Sequence, residues 1–463
     1  MRVSLCMIVK NEEANLSKCL RSAADLVDEV IVVDTGSTDQ TKEVAAQFGA
    51  KVFDFVWIDD FGAARNESLR HATGNWIFWM DGDDRLDEEN RKKLRKLFDN
   101  LHNENVAYAM KCRCLADVQA DTPTLVDHIR LFRNRPEVRW RYRVHEQILP
   151  GIRGVGGEVV ASDVAIQHVG YVDPAVRRKK QERDLRILEL DRAENPDEPF
   201  ILFNLGWSYE ESRRPAEALP LLRRSLELSH PADSIVRKLF TLIMECHRQL
   251  RQPAEALAVC REGQRYYPED AQLLFQEALM RREAGDLTGA EGCLLRLLET
   301  NEEPHFASVV EGLRGYKARH SLAVIYRETG RVTEAEAQWN AALREHPGFS
   351  SAWLGLGELY LAQGRTQELD GVITHLDGVA GTVLRARWHM ARQEFQAACA
   401  LLDEAISNTP EDVWLWIVLS HALLQEGKNW DRAEGALRTV LKLDPDNIEA
   451  QNNLAVLMHQ RKK

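Results

Sequence analysis

Hydrophobic and polar positions along this chain change their period once. Up to about residue 105, short β-branched runs alternate with stretches of helical period. Val3 to Val9 predicts a strand, and Glu12 to Ala24 a helix with Leu16, Cys19, Leu20 and Ala23 on one face. Glu29 to Asp34 predicts a second strand, apolar almost throughout, as a parallel strand covered on both sides would be. Ser37 or Thr38 is placed to cap a helix reaching Phe48, with Asp39 in its first turn. Lys51 to Trp57 and Asn75 to Met80 read as strands, with a helix over Ala63 to Ala72 between them. Asp87, followed by Glu88 and Glu89, opens a further helix to about Leu101. Alternation at this pitch predicts an α/β domain with a doubly wound, mainly parallel sheet.

From about residue 180 the strand period gives way to paired helices repeating near the ~34 residues of tetratricopeptide units. Trp353, Leu356, Gly357 and Tyr360 hold the offsets of a first helix, and Leu322, Tyr326, Ala335, Trp339, Ala342 and Pro347 mark the preceding unit. Leu205, Gly206, Tyr209 and Ala218 anchor another, as do Ala256 with Pro268, Ala290, Ala398, and Ala433 with Pro445. Small residues let paired helices approach, and the prolines end the second helix of a unit. Seven or so repeats are expected, with irregular joints at Asn195-Pro196 and at Asn301 to Pro304. The expected organisation is an α/β domain over residues 1–176 and an all-α repeat domain over 177–463.

Composition narrows the class. At 463 residues, 44% hydrophobic and 29% charged, the chain reads as a globular protein of more than one domain. A net charge of -12 argues against a nucleic-acid partner. No run approaches the ~18 apolar residues of a membrane span, and the start lacks the pattern of a signal peptide. The eight cysteines show no zinc-site spacing and read as reduced thiols. A cytoplasmic location is expected.

The candidate chemistry lies at strand ends. Trp76-Ile77-Phe78-Trp79-Met80 delivers Asp81-Gly82-Asp83-Asp84 to the edge where open α/β sheets bind ligands. Two carboxylates separated by a glycine suit a hard divalent cation held against a diphosphate. Asn11 and Glu12 end the first strand at the mouth of the same crevice. Asp34 ends the second, where a carboxylate accepts from a nucleobase or ribose, or else holds a turn with Gly36. Arg65 and Asn66 open a helix beside it, and arginine offers planar donors to phosphate or base. His168 follows the apolar run Val164-Ala165-Ile166. Arg139-Trp140-Arg141-Tyr142-Arg143 reads either as a phosphate or sugar clamp or as an exposed strand. Glycines 151, 154, 156 and 157 suggest a mobile loop.

Taken together, Met7 to Glu13, Val33 to Asp39, Ala64-Arg65-Asn66, Gly74-Asn75-Trp76, the acidic cluster, Arg130-Leu131-Phe132-Arg133, Val144-His145-Glu146 and Gln167 to Gly170 resemble the family 2 glycosyltransferases of the GT-A fold. The likeness is greatest to the bacterial branch with the lipopolysaccharide-core glucosyltransferases and the glycocin peptide glycosyltransferase, and it covers about residues 1–175. The resemblance implies a nucleotide-diphosphate sugar donor bound by Asn11, Glu12, Asp34, Arg65 and Asp81, with Asp34 on the base. It implies that of Asp81 and Asp83 one meets the ribose and the other Mn²⁺ or Mg²⁺, with His168 as a further metal contact. It also implies Glu146 as the base, with His145 the competing candidate.

The expected function is inverting, metal-dependent glycosyl transfer to a protein, peptide or glycan acceptor recruited through the repeats, whose concave surfaces also suit a protein partner. One alternative is an inactive repeat scaffold, against which the intact acids argue. Another is a nucleotidyltransferase, which would carry a Gly-rich basic loop where this chain has Lys10-Asn11-Glu12-Glu13. The acceptor-side loop, Cys114 to Asp127, carries no readable code. With every acid before it, a cut near Val176 is expected to leave nucleotide binding in place.

Overall fold

The computed structural model describes residues 1–102, 105–114, 124–170, 174–300, 308–310 and 312–460. The chain forms two compact units, Met1–Ala284 with Thr300–Glu311, and Gly285–Glu299 with Gly312–Lys463.

One sheet organises the first unit. Its strands are β1 (Val3–Val9), β2 (Glu29–Asp34), β3 (Lys51–Asp54), β4 (Trp76–Trp79), β5 (Asp84–Arg85), β6 (Val106–Cys114), β7 (Thr124–Arg133), β8 (Glu158–His168) and β9 (Ser308–Val310). Their order is β3-β2-β1-β4-β7-β6-β8-β5, with β9 beside β7. The β3-β2-β1-β4 half is parallel throughout. Beyond it the sheet is mixed, with β7 antiparallel to β4 and β6, β8 parallel to β6, and β5 antiparallel to β8.

Side-chain alternation sorts the sheet into two buried faces, as double winding requires. Leu5, Met7, Val30, Val32, Trp76 and Phe78 share one core with Leu16, Leu20, Leu94 and Phe98 of helices α1 (Glu13–Ala23) and α4 (Glu88–Asp99). Ala45, on the intervening helix α2 (Thr41–Gln47), belongs to the same core. Cys6, Ile31, Ile77, Trp79 and Phe132 share the other with Leu69 of helix α3 (Phe61–His71) and Ile152 of helix α5 (Leu149–Gly154). Asp60 and Asp87 start α3 and α4 by accepting the N–H groups of Ala63 and Asn90.

Three local expectations are corrected. The helix expected from Ser37 or Thr38 begins at Thr41, because Ser37 Oγ accepts the Asn11 N–H and Thr38 donates to Asn11 Oδ1. Those bonds tie the segment to the end of β1 instead. The strand expected through Trp57 ends at Asp54, after which the chain turns toward Asp60. Residues 151–154, expected as loop, belong instead to the short helix α5 over Leu149–Gly154, and a Cβ on Gly157 would lie 2.8 Å from Ile152 Cγ2.

Helices α6 (Pro174–Glu194), α7 (Pro199–Glu211) and α8 (Pro215–Leu228) follow the sheet in the first unit, with Val236–Gln249, Pro253–Tyr266 and Ala271–Glu283 after them. The second unit is helical from Leu287–Glu299 onward among its described residues. The predicted anchors Ala218, Ala256, Ala290, Ala335, Ala398 and Ala433 are all buried. Gly206 has the role expected of a small residue, since a Cβ there would sit 2.7 Å from Leu222 Cγ. Pro268, Pro347 and Pro445 each lie just past a second helix, which ends at Tyr266, Glu345 or Leu443. The Asn301 to Pro304 joint lies outside the described residues.

Candidate active site

The acidic turn sits where β4 ends. Asp84 N–H donates to the Asp81 carbonyl at 3.1 Å, and Asp81 N–H donates to Asp84 Oδ2 at 2.8 Å, closing the turn on itself. Gly82 admits Glu12, whose Cγ would be 3.0 Å from a Cβ at that position. Asp84 then enters β5 directly opposite His168 of β8, and Val169 N–H donates to the Asp83 carbonyl. His168 Nδ1 lies 3.0 Å from Asp84 Oδ1 and 3.4 Å from Asp83 Oδ1. Residues 84 positions apart thus meet through one strand pairing.

Asp81, Asp84 and His168 bring one ligand atom each within 4.8 Å of one another. Asp84 is therefore the third member of the cluster, fully buried at 0% exposure, with Asp83 adjoining through His168. Its location in β5 was not visible from the sequence.

Two buried arginines complete the site. Arg65 donates from Nη2 to Asp81 Oδ1 at 2.9 Å and from Nε to Glu146 Oε1 at 2.5 Å. Arg130 donates from Nη1 to Asp84 Oδ2 at 2.8 Å. Their guanidinium carbons lie 4.1 and 3.7 Å from the centroid of the Trp79 ring. The indole is locked by its own Nε1–H, which donates to the Ile129 carbonyl.

Electrostatics follow from this packing. Burial opposes the charge on Asp81, but Arg65 and Arg130 more than offset it and hold the carboxyl well below the usual range. Burial pushes the Asp83 carboxyl up, and Asp81 and Asp84 add to the rise. Burial pulls the His168 imidazole down, yet Asp84 and Asp83 outweigh it and raise its pKa to about 9. Among the described residues, four carboxylates, those of Asp81, Asp83, Asp84 and Glu146, lie against two arginines and the raised His168 imidazole, which leaves one negative charge unmatched. The excess negative charge and the all-oxygen and imidazole donor set fit a hard divalent cation such as Mn²⁺ or Mg²⁺.

The other expected residues take varied places. Asp34 is buried and holds the turn, its Oδ1 accepting the N–H groups of Gly36 (φ +99°) and Ser37 at 2.9 and 2.8 Å. Its Oδ2 is buried with no hydrogen-bond partner among the described residues, an acceptor suited to a nucleobase N–H. Asn11, at φ 54°, spends its side chain on Thr38. Glu12 accepts from Asn15 Nδ2 on its carboxylate and lies against the acidic turn. Glu146 is joined to the cluster through Arg65, whereas the His145 side chain is exposed.

The basic, aromatic run from Arg139 to Arg143 is not a ligand clamp as a whole. Trp140 is buried edge-on to Trp79, Tyr142 stacks on Phe200 and donates to Glu198, and Arg143 pairs with Asp191 and Glu194. Arg130 is the residue that sequence reasoning left without a role. Its signal was a lone charge inside the apolar run Ile129 to Phe132, a place where arginine persists only if paired. Most of the expected acceptor loop, residues 115–123, lies outside the described residues.

Known proteins resemble this chain in both of its parts. The family described as Glycosyl transferase family 2 matches residues 4–147, and tetratricopeptide repeat families match residues 201–234, 320–368 and 389–457. A TPR repeat-containing protein of Synechococcus elongatus is 30% identical over 338 residues, 72% of this chain and 72% of its own. The SPbeta prophage-derived glycosyltransferase SunS of Bacillus subtilis is 28% identical over 225 residues, covering 48% of this chain and 52% of SunS. Among solved structures, a tetratricopeptide repeat protein from Parabacteroides merdae aligns with TM-score 0.46 at 16% identity, over 56% of this chain and 98% of that one. With a glycosyltransferase domain in front and tetratricopeptide repeats after it, the chain belongs to the family 2 glycosyltransferases in their repeat-bearing form.

Proposed function

We propose that this glycosyltransferase is inverting and metal-dependent, and that it moves a sugar from a nucleotide-diphosphate donor to an acceptor gathered by the repeats. The observation that carries the reading is the crowding of Asp81, Asp83, Asp84 and His168 at the end of β4 with more negative charge than Arg65 and Arg130 neutralise. Asp81, Asp83 and His168 would hold Mn²⁺ or Mg²⁺, with Asp84 orienting His168. A bound cation would supply Lewis-acid neutralisation of the charge that builds on the departing nucleoside diphosphate. Asp34 Oδ2 receives the base, Glu12 and Asn11 border the crevice, and Arg65 steadies Asp81.

Inversion needs a base on the acceptor side. Glu146 suits that task better than His145 because Arg65 ties it to the donor carboxylates, whereas the His145 side chain is exposed. The domain boundary at 176/177 and the recruitment of a protein, peptide or glycan acceptor by the repeats complete the proposal. No described helix is long and apolar enough to cross a membrane, which is compatible with the proposed cytoplasmic location.

The test is nucleoside diphosphate release from a panel of donor sugars, with Mn²⁺ and with a chelator. Metal-dependent release from one donor supports the reading. Release indifferent to chelation removes the metal, and release from no donor across the panel points to the inactive scaffold.

A further inference from the structure

We infer that the helices following the sheet are part of the catalytic apparatus, and that Asp191 of α6 is a positioning residue for Glu146. The inference rests on the proposed role of Glu146. Its base is a strained segment held from one side. Tyr142 and His145 are non-glycine residues in the left-handed region, at φ 70° and 56°, and they bracket Arg143 and Val144. Such conformations persist only where surrounding contacts over-determine them. The ends of the segment close on each other, Arg141 and Gln147 exchanging both backbone hydrogen bonds at 3.0 Å.

The contacts that hold the middle come from α6 and α7. Asp191, 5% exposed, takes the Arg143 backbone N–H on Oδ2 at 3.0 Å and the Arg143 Nε on Oδ1 at 3.2 Å. Tyr142 Oη donates to Glu198 at 3.0 Å. Val144 is buried with Ile187, Leu188, Leu202, Leu205 and Leu221. On its other side the segment starts α3, since the Arg143 carbonyl accepts the Phe61 N–H at 2.7 Å. One turn further along, α3 presents Arg65 to Glu146. A closed circuit therefore runs from Asp191 through Arg143 and α3 to Arg65 and back to Glu146, three residues from Arg143. Cutting the repeats away near Val176 removes Asp191, Glu198 and the apolar partners of Val144. On this inference such a cut leaves the expected nucleotide-binding residues in place but frees the segment that carries Glu146.

The test uses the full chain carrying Asp191→Ala. Hydrogen exchange at the Arg143 and Phe61 amides should quicken about tenfold or more, the effect of losing hydrogen bonds to a charged acceptor. In the same variant kcat for donor turnover should fall by roughly 10–100-fold, as when a supporting partner of a site residue is lost. Mn²⁺ affinity should stay as in the parent, because the acids at the end of β4 are untouched. Unchanged exchange overturns the tether, and quickened exchange with unchanged kcat overturns the positioning role. Where Asp191→Ala does not fold, Glu198→Ala removes only the Tyr142 acceptor, and the same measurements should move about threefold. A parent chain that binds no Mn²⁺ and turns over no donor defeats the functional reading alone, while the exchange result still judges the tether.

Discussion

Arg130 and Asp84 meet at 2.8 Å with both side chains closed to water, at 2% and 0% exposure. Asp84 then serves three neighbours at once: Arg130, the Asp81 N–H and His168. One ion pair inside the sheet thus sets the position of the carboxylates at its edge. Removing one partner of such a pair leaves an uncompensated buried charge. Arg130→Met should destabilise the protein by about 3–5 kcal/mol in urea unfolding. A loss near that of a surface substitution would show that the pair does not hold the turn.

Glu146→Gln should keep donor affinity while turnover falls by about 10²–10⁴, since the amide keeps the size and loses the basicity. Arg65→Lys should also slow turnover, by roughly 10–100-fold, because an ammonium cannot hold Asp81 and Glu146 in one planar fork. Steady-state kinetics with separate donor binding check both. A collapse of donor affinity in Glu146→Gln would make Glu146 a binding residue and return His145 as the base.

Asp81→Ala and Asp83→Ala should each abolish transfer and Mn²⁺ binding. Their effects on stability should differ. Asp81 is paired with Arg65, so its loss leaves that arginine half satisfied and lowers the melting temperature. Asp83 is pushed up by burial and by its acidic neighbours, so its loss leaves the melting temperature unchanged or higher. Calorimetry without added metal reads the contrast.

The contact between α6 and the loop before α3 has its own pH signature. Arg186 donates to both oxygens of Asp59 at 2.7 Å and lowers the Asp59 pKa to about 2. A depressed carboxyl contributes its full stability above its unfolded value, near 4, and loses it as the pH falls through about 2. The difference in urea midpoint between the parent and Asp59→Asn should therefore be constant above about pH 5 and shrink toward zero near pH 2. Asparagine suits the test because residue 59 sits at φ 58°. A difference independent of pH would remove the ion pair as its cause.

Much of this protein is legible from the order of its residues. Continuous apolar runs and helical periods marked β1, β2, β4 and α1 closely, because each is set by neighbours in sequence and by which faces must be dry. The repeat helices followed from small residues and prolines recurring at fixed offsets, since each pair packs mainly on what lies next along the chain. The acids at the end of β4, with Glu146 and His168, were legible as candidates from their motifs. What the sequence could not supply were relations between distant segments. The start of α2 was misplaced because Asn11, far back in the chain, claims the residues that would have capped it. Arg139 to Arg143 read as either a ligand clamp or an exposed strand until α6 and α7 took up Tyr142 and Arg143. Arg130 acquired a role, and Asp84 a place in the site, only when β5 paired with β8 and β7 with β4. Those partners sit 46 and 84 residues from Asp84, and burial together is what makes their charges interact strongly.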